Sequence, residues 1–347
     1  MLLSLTACMP TIQPPSTKVA PQMLFDHYFI AADGVELPLR TWKARTNKPK
    51  AIIVALHGFN DYSHFFQEPA QYFSANNITA YAYDQRGFGE TQYRGIWAGI
   101  DAYVNDLQQL TELIRKKHPA TPVYWLGESM GGAVALVAAS NKTTDVADGL
   151  ILAAPAIWAR DIMPWYQQTL LWSLSHTVPW LNLTGESMGV VASDNIEMLR
   201  ALGRDPLVIK ETRVDTVYGL ANLMDAAAES ATSINIPTLM LYGEKDDLIP
   251  FEPTFQFVNN FLSQKADNKM IACYENGYHM LLRDLQAEVL WKDITSWISS
   301  SKRFLPSAAD KHTNCLDVAL NTKPEEEEEK DADDTDESHS QKIEDKK

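Results

Sequence analysis

No run of about 18 apolar residues occurs in this 347-residue chain, so no segment reads as a membrane-spanning helix. Cysteine is scarce, with three in all, and no Cys/His cluster has metal-ligand spacing. Neither a metal nor an organic cofactor is implied. Basic residues are outnumbered: 30 Lys and Arg face 45 Asp and Glu, a formal net charge of −15. From Pro324 to Lys347 there are twelve acidic and four basic residues, so roughly half of the excess sits in the last segment. The −7 left on the body argues against a nucleic-acid partner, which requires a basic surface. Cys273 falls on an expected buried strand and Cys315 near the tail. The two can pair in an oxidising compartment, but ordinary free thiols are the simpler expectation.

What is present begins at the N-terminus. Leu5-Thr6-Ala7-Cys8 resembles a bacterial lipobox, whose cysteine is acylated after cleavage. The polar, Pro-rich stretch from Met9 to Gln22 reads as an extended tether that buries little. This implies a chain anchored to a membrane surface of the bacterial cell envelope through Cys8. One departure stands out: none of the seven residues before Cys8 is basic, and a signal peptide has a basic n-region. Without the anchor, the expectation is a cytoplasmic or peripheral protein.

Apolar patterning then organises the chain. Residues 24–31 and 35–43 form two strand-like runs joined at Asp33-Gly34, a hairpin signal. Continuous apolar strands are expected at 51–56, 78–83, 123–126, 150–153, 238–242 and 270–274. Helix patterns lie between them at 64–75, 102–117, 130–139, 253–262 and 285–300. Apolar strands alternating with helices imply a mostly parallel central sheet flanked by helices. The stretch 156–233 breaks the rhythm. It is helix-prone, rich in Trp, Tyr, Met and Leu, and offers no convincing strand, so it reads as an inserted helical lid packed largely by those aromatics. The expected organisation is a signal remnant and tether at 1–22, core at 23–155, lid at 156–233, core again at 234–305, and a polar to acidic disordered tail at 306–347.

The chemistry centres on Gly127-Glu-Ser129-Met-Gly131-Gly132. An apolar strand runs into this pentapeptide, and a small-residue helix follows. A sharp strand-to-helix elbow projects the serine hydroxyl above the sheet, and the flanking glycines keep Cβ atoms out of the crowded turn. The helix N-terminus adds a positive dipole end where negative charge develops. Gly185-Glu-Ser187-Met-Gly189 repeats the pentapeptide letter for letter. No apolar strand precedes it and polar turn residues soon follow, so context selects Ser129.

A serine nucleophile requires a base, and the base an orienting carboxylate. Downstream, the strand at 238–242 ends in Gly243-Glu-Lys-Asp246-Asp247, which offers two candidate acids. The strand at 270–274 leads through Gly277 to His279, the candidate base. The order Ser, acid, His is that of nucleophile-elbow hydrolases. Oxyanion donors are expected from the backbone N–H groups of Met130, after the nucleophile, and of Phe59, in the loop after the first core strand. His57 in that loop reads as a structural hydrogen-bonding residue.

Together these residues resemble the monoacylglycerol lipase and lysophospholipase branch of the α/β-hydrolases. The matching landmarks are His57-Gly58, Tyr83-Asp84-Gln85-Arg86-Gly87-Phe88-Gly89, the elbow at 127–132, Gly243-Glu-Lys-Asp246, and Gly277-Tyr-His279. Ala153-Ala154-Pro155 and Asp205-Pro206-Leu207 also fit, and the likeness spans residues 25–298. The resemblance implies the α/β-hydrolase fold, and its Gly-x-x-Asp spacing selects Asp246 over Asp247. It further implies hydrolysis of a lipid-like single acyl ester, monoacylglycerol or lysophospholipid, through an acyl-enzyme on Ser129. The alternatives are the same triad acting on short soluble esters or on aminopeptidase-type amides, and a non-catalytic surface lipoprotein.

Overall fold

The computed structural model describes residues 9–16, 18–141, 147–184, 189–263, 268–299 and 304–312. The chain opens with three short strands, β1 (Met23–Leu24), β2 (Tyr28–Ile30) and β3 (Glu36–Trp42). Alternation follows: β4 (Ala51–Leu56), α1 (Gln67–Ala75), β5 (Ile78–Tyr83), α2 (Ile100–Lys117), β6 (Val123–Glu128), α3 (Met130–Ser140) and β7 (Gly149–Ala153). Next come α4 (Trp165–Thr177), β8 (Asn182–Thr184), α5 (Ile196–Arg204), β9 (Glu211–Arg213) and α6 (Val214–Glu229). The core resumes with β10 (Thr238–Gly243), α7 (Phe251–Ser263), β11 (Lys269–Tyr274) and α8 (Ala287–Ser299).

Nine strands form one sheet in the order β1-β2-β3-β5-β4-β6-β7-β10-β11. The pairs from β5 to β11 are parallel, and the first three strands join antiparallel at one edge. The fully buried strand β4 shows how both faces are covered. Ile52, Val54 and Leu56 point into a core shared with Leu107 and Leu110 of α2, Val134 of α3 and Phe257 of α7. Ala51, Ile53 and Ala55 point into the opposite core with Phe73 of α1 and Ile294 and Trp297 of α8. A period-two strand that is apolar on both faces requires helices on each side.

Three expectations need correction. First, the segment between β7 and β10 is not purely helical, because β8 and β9 pair antiparallel through Asn182–Arg213, Leu183–Thr212 and Thr184–Glu211. Its aromatics also pack less than expected. Trp158, Met163 and Leu171 lie against the core, but Trp165, Tyr166, Leu170, Trp172 and Trp180 are exposed, Trp165 at 77 %. Second, the Pro-rich N-terminal stretch is held to the body. Gln13 N–H donates to the Trp97 carbonyl and its Nε2 to the Ile96 carbonyl, both at 2.8 Å. Thr11 N–H donates to Asp215 Oδ2 at 3.1 Å. Backbone amides there find partners on the loop before α2 and on α6, so the composition argument for a free tether fails locally. Third, Cys273 is disulfide-bonded and not a free thiol. Cys315, Cys8 and the second pentapeptide serine, Ser187, lie outside the described residues.

Candidate active site

The C-terminal ends of parallel strands carry the candidate site, as open α/β sheets generally arrange. β6 ends at Glu128, and Ser129 follows with φ 52° and ψ −116°. This is a left-handed conformation costly for a non-glycine residue, by roughly 1–3 kcal/mol. Packing enforces it. Ser129 N–H donates to the Ala153 carbonyl of β7, and its own carbonyl accepts from the Ala133 and Ala156 amides. A Cβ at Gly127 would lie 2.3 Å from the Gly131 carbonyl oxygen, and one at Gly131 would lie 2.3 Å from the Leu56 carbonyl oxygen. Both glycines are therefore required for α3 to start directly against β4 and β6.

His279 and Asp246 come from the neighbouring strand ends. In register, Gly243 of β10 faces Tyr274 of β11, so the loops after the two strands emerge together. His279 Nδ1–H donates to Asp246 Oδ2 at 2.8 Å, and Nε2 has no hydrogen-bond partner among the described residues. His279 is 4 % exposed and Asp246 7 %. The other Asp246 oxygen accepts the Leu248 and Ile249 amides at 2.9 and 3.0 Å, which locks the carboxylate in orientation. Asp247 is exposed, so of the two adjacent carboxylates Asp246 is the one that pairs with His279.

The loop after β4 packs onto the elbow: a Cβ at Gly58 would sit 3.4 Å from Ser129 Cβ. Phe59 follows, half-buried, and Asn60 takes φ 66°. Met130 opens α3, so its N–H is a first-turn amide with no acceptor inside the helix. His57 is buried, donates from Nδ1 to the Gly58 carbonyl at 2.8 Å and accepts the Gln85 amide at Nε2 at 3.0 Å. Burial lowers its pKa below the ordinary histidine value, which holds it as the neutral ring that these two bonds require. It braces the loop and has no free ring nitrogen for proton transfer.

Residues that the motifs did not reveal surround this centre. Arg283 lies between Asp61 and Glu128. Asp284 accepts from Ser193 Oγ at 2.5 Å and from the Tyr278 amide at 2.8 Å. The Met280 amide donates to the Ala192 carbonyl. The inserted segment is thus stitched to the loop that carries His279. A faint signal existed for the first group: charges at Glu128 and Arg283 interrupt otherwise apolar runs. Among the described residues no group of His, Cys, Asp and Glu could hold a metal ion.

Comparison with known proteins places the chain in a family. Residues 47–286 match the family model described as serine aminopeptidase, S33. Monoglyceride lipase of Rattus norvegicus is 29 % identical over 278 residues, covering 78 % of this chain and 89 % of the rat protein. Monoacylglycerol lipase of Mycolicibacterium smegmatis is 26 % identical over 280 residues, covering 79 % and 97 %. Among solved structures, Paleococcus ferrophilus monoacylglycerol lipase superposes with a TM-score of 0.63 at 20 % identity, over 76 % of this chain and 98 % of that one. A soluble variant of Saccharomyces cerevisiae monoglyceride lipase, in complex with a substrate analog, gives 0.65 at 19 %, over 84 % and 99 %. With its elbow, its sheet order and this match across more than half its length, the chain belongs to the serine aminopeptidase S33 family of α/β-hydrolases and is a serine hydrolase.

Proposed function

We propose that the chain hydrolyses a single acyl ester of lipid character, a monoacylglycerol or lysophospholipid, with Ser129, His279 and Asp246 as its triad. The observation that carries this reading is the Asp246–His279 pair, held at 2.8 Å on loops that leave the same sheet whose strand β6 leads into Ser129 on a strained elbow. Ser129 Oγ attacks the acyl carbonyl while His279 Nε2 takes its proton. The amides of Phe59 and Met130 donate to the oxyanion as it forms. Collapse of the tetrahedral intermediate expels the alcohol, which takes its proton from His279. Water then repeats the sequence and releases the fatty acid. Asp246 holds the imidazole with Nε2 toward the serine and stabilises the imidazolium that forms.

The lipid character rests on the curated relatives, whose names specify monoglycerides, and on the exposed Trp165, Tyr166, Leu170 and Trp172 of the insertion, which we read as part of a lid. The test has two parts. A fluorophosphonate probe should label the wild type and leave Ser129→Ala unlabelled; equal labelling of the two removes the triad reading. A panel of monoacylglycerols, lysophospholipids, p-nitrophenyl esters and aminoacyl amides should show highest kcat/KM on the first two classes. The amide arm matters because the family description is that of an aminopeptidase. A preference for amides overturns the lipid assignment.

Attachment to the bacterial envelope through an acylated Cys8 is a separate proposal, supported by Leu5-Thr6-Ala7-Cys8. Labelled palmitate should be incorporated by the wild type in a bacterial host and not by Cys8→Ser. Persistent label in the variant contradicts the site.

A further inference from the structure

We propose that Arg283 is a positioning residue for hydrolysis, fixing the oxyanion loop, the nucleophile elbow and the His279 loop against one another through Asp61 and Glu128. The inference rests on the triad reading above and adds a component to it. Arg283 is 7 % exposed. Its Nη1 lies 2.8 Å from Asp61 Oδ2, and its Nη2–H donates to Glu128 Oε1 at 2.7 Å. The guanidinium carbon sits 5.7 Å from the centre of the Phe65 ring, in the 3-10 turn Ser63–Phe66 that follows Asp61. Asp61 is two residues after Phe59, Glu128 immediately precedes Ser129, and Arg283 is four residues after His279. One rigid fork therefore spans the three segments that must meet around an acyl carbonyl.

The chemistry favours geometry over stability as the role. Two carboxylates share one guanidinium in a buried site, and burial raises Glu128 despite that partner. Arg283 Nε, Glu128 Oε2 and Asp61 Oδ2 are buried with no hydrogen-bond partner among the described residues, so the guanidinium holds Asp61 by the ion pair alone and Glu128 by an ion pair and a hydrogen bond. Buried ion clusters of this kind add little net stability compared with apolar side chains of similar size. A planar five-donor fork does fix distance and angle between its two partners, which a lysine point charge cannot. Catalysis is sensitive to such placement, since a shift of about 1 Å in the reacting groups can cost on the order of 100-fold. Each segment also has its own restraint. Asp61 Oδ1 accepts the Tyr62 amide at 2.8 Å, and the Arg283 carbonyl accepts from Asn195 Nδ2 at 2.9 Å. The fork joins parts that are already stiff, so it sets their spacing.

Arg283 and Asp61 also line a cavity of about 320 Å³ with Tyr62, Phe65, Met198 and Leu202, which gives a small cation a route to the site. The experiment compares Arg283→Met, Arg283→Lys and Arg283→Ala with wild type on a soluble p-nitrophenyl ester. Circular dichroism and thermal melts establish the folded fraction, and Ser129→Ala serves as the inactive control. The expected result for Arg283→Met is a kcat loss of about 10- to 100-fold with KM changed less than about threefold. Fluorophosphonate labelling should slow in parallel. Arg283→Lys should recover part of kcat, and guanidinium at tens of millimolar should raise Arg283→Ala several-fold without raising wild type. A folded Arg283→Met with kcat within about threefold of wild type overturns the proposal. If Arg283→Met does not fold, the uncharged combination Asp61→Asn, Glu128→Gln, Arg283→Met takes its place. Wild-type kcat in that variant overturns the inference, and a retained loss supports it. Labelling of Ser129→Ala would instead defeat the triad reading, so the two failures are separable.

Discussion

At the residue scale, Asp106 shows how burial and pairing compete. Arg86 donates to both Asp106 and Asp33, yet burial outweighs that pull and holds the Asp106 carboxyl up to about 6, from an ordinary 3.8. Its pKa is thus raised on folding. The protonated form is favoured in the folded protein, so this contribution to stability is complete below about pH 4 and is lost as pH climbs through about 6. Asp106→Asn cannot ionise and lacks this slope. In urea melts from pH 4.5 to 7, the unfolding free energy of wild type minus that of the variant should fall with pH and level off above about 6.5. A difference that stays flat or rises would show that Arg86, and not burial, governs the group. Single residues differed greatly in how legible they were. Ser129 was separable from its duplicate only because a strand precedes it and a helix follows. The preference for Asp246 over Asp247 needed a family spacing, and in the structure Asp246 is the carboxylate that pairs with His279. The Arg283 cluster escaped reading because its pairing with Glu128 spans 155 residues, and only the sheet order brings the two together.

Whole elements were easier to read where they were long. Strands and helices of the core have continuous apolar or helical patterns, and their observed bounds differ from the expected ones by only a few residues. β8 and β9 were invisible because three-residue strands carry no usable alternation, and the paired positions, such as Leu183 and Thr212, lie far apart in sequence. The connection from the insertion to the His279 loop was equally hidden, being made by backbone groups and short polar side chains. Its physical consequence is specific. Ser193 Oγ donates to Asp284, which in turn accepts the Tyr278 amide next to His279. Burial raises Asp284, so its carboxylate depends on these donors to remain charged in place. Ser193→Ala should cost about 1–3 kcal/mol of local stability by leaving that acceptor short of a donor. The effect should fall on kcat, by several-fold, because the loop that loosens carries His279, the proposed base. Hydrogen exchange at Tyr278 and Met280 should quicken while core strands such as β4 are unchanged. Uniform acceleration across the molecule would mean that the stitch serves global stability only.

For the molecule as a whole, the least expected feature is the N-terminal segment, because its composition argued against folding. Four described groups contradict that: the Thr11 amide, the Gln13 amide and side chain, and Ser16 Oγ, which donates to the Asp33 carbonyl. Composition reports how much surface a segment can bury and is silent on whether a neighbouring loop presents unpaired carbonyls. Here Ile96 and Trp97 present two of them, and Asp215, which also pairs with Arg213, presents a carboxylate oxygen. The strap thus joins the loop before α2 to the start of α6, across the boundary between the sheet and the insertion. Net hydrogen bonds contribute about 0.5–1.5 kcal/mol each, so removing residues 1–16 should cost about 2–4 kcal/mol. In a body of this size, that corresponds to a Tm lower by roughly 4–10 °C. Thr11, Gln13 and Ser16 have no hydrogen bond to Ser129, Asp246 or His279 among the described residues, so kcat/KM on a soluble ester should stay within about twofold at temperatures well below the new transition. Gln13→Ala alone removes one side-chain bond and should move Tm by about 1–3 °C in the same direction. An unchanged Tm in the truncated chain would restore the free-tether reading that composition first suggested.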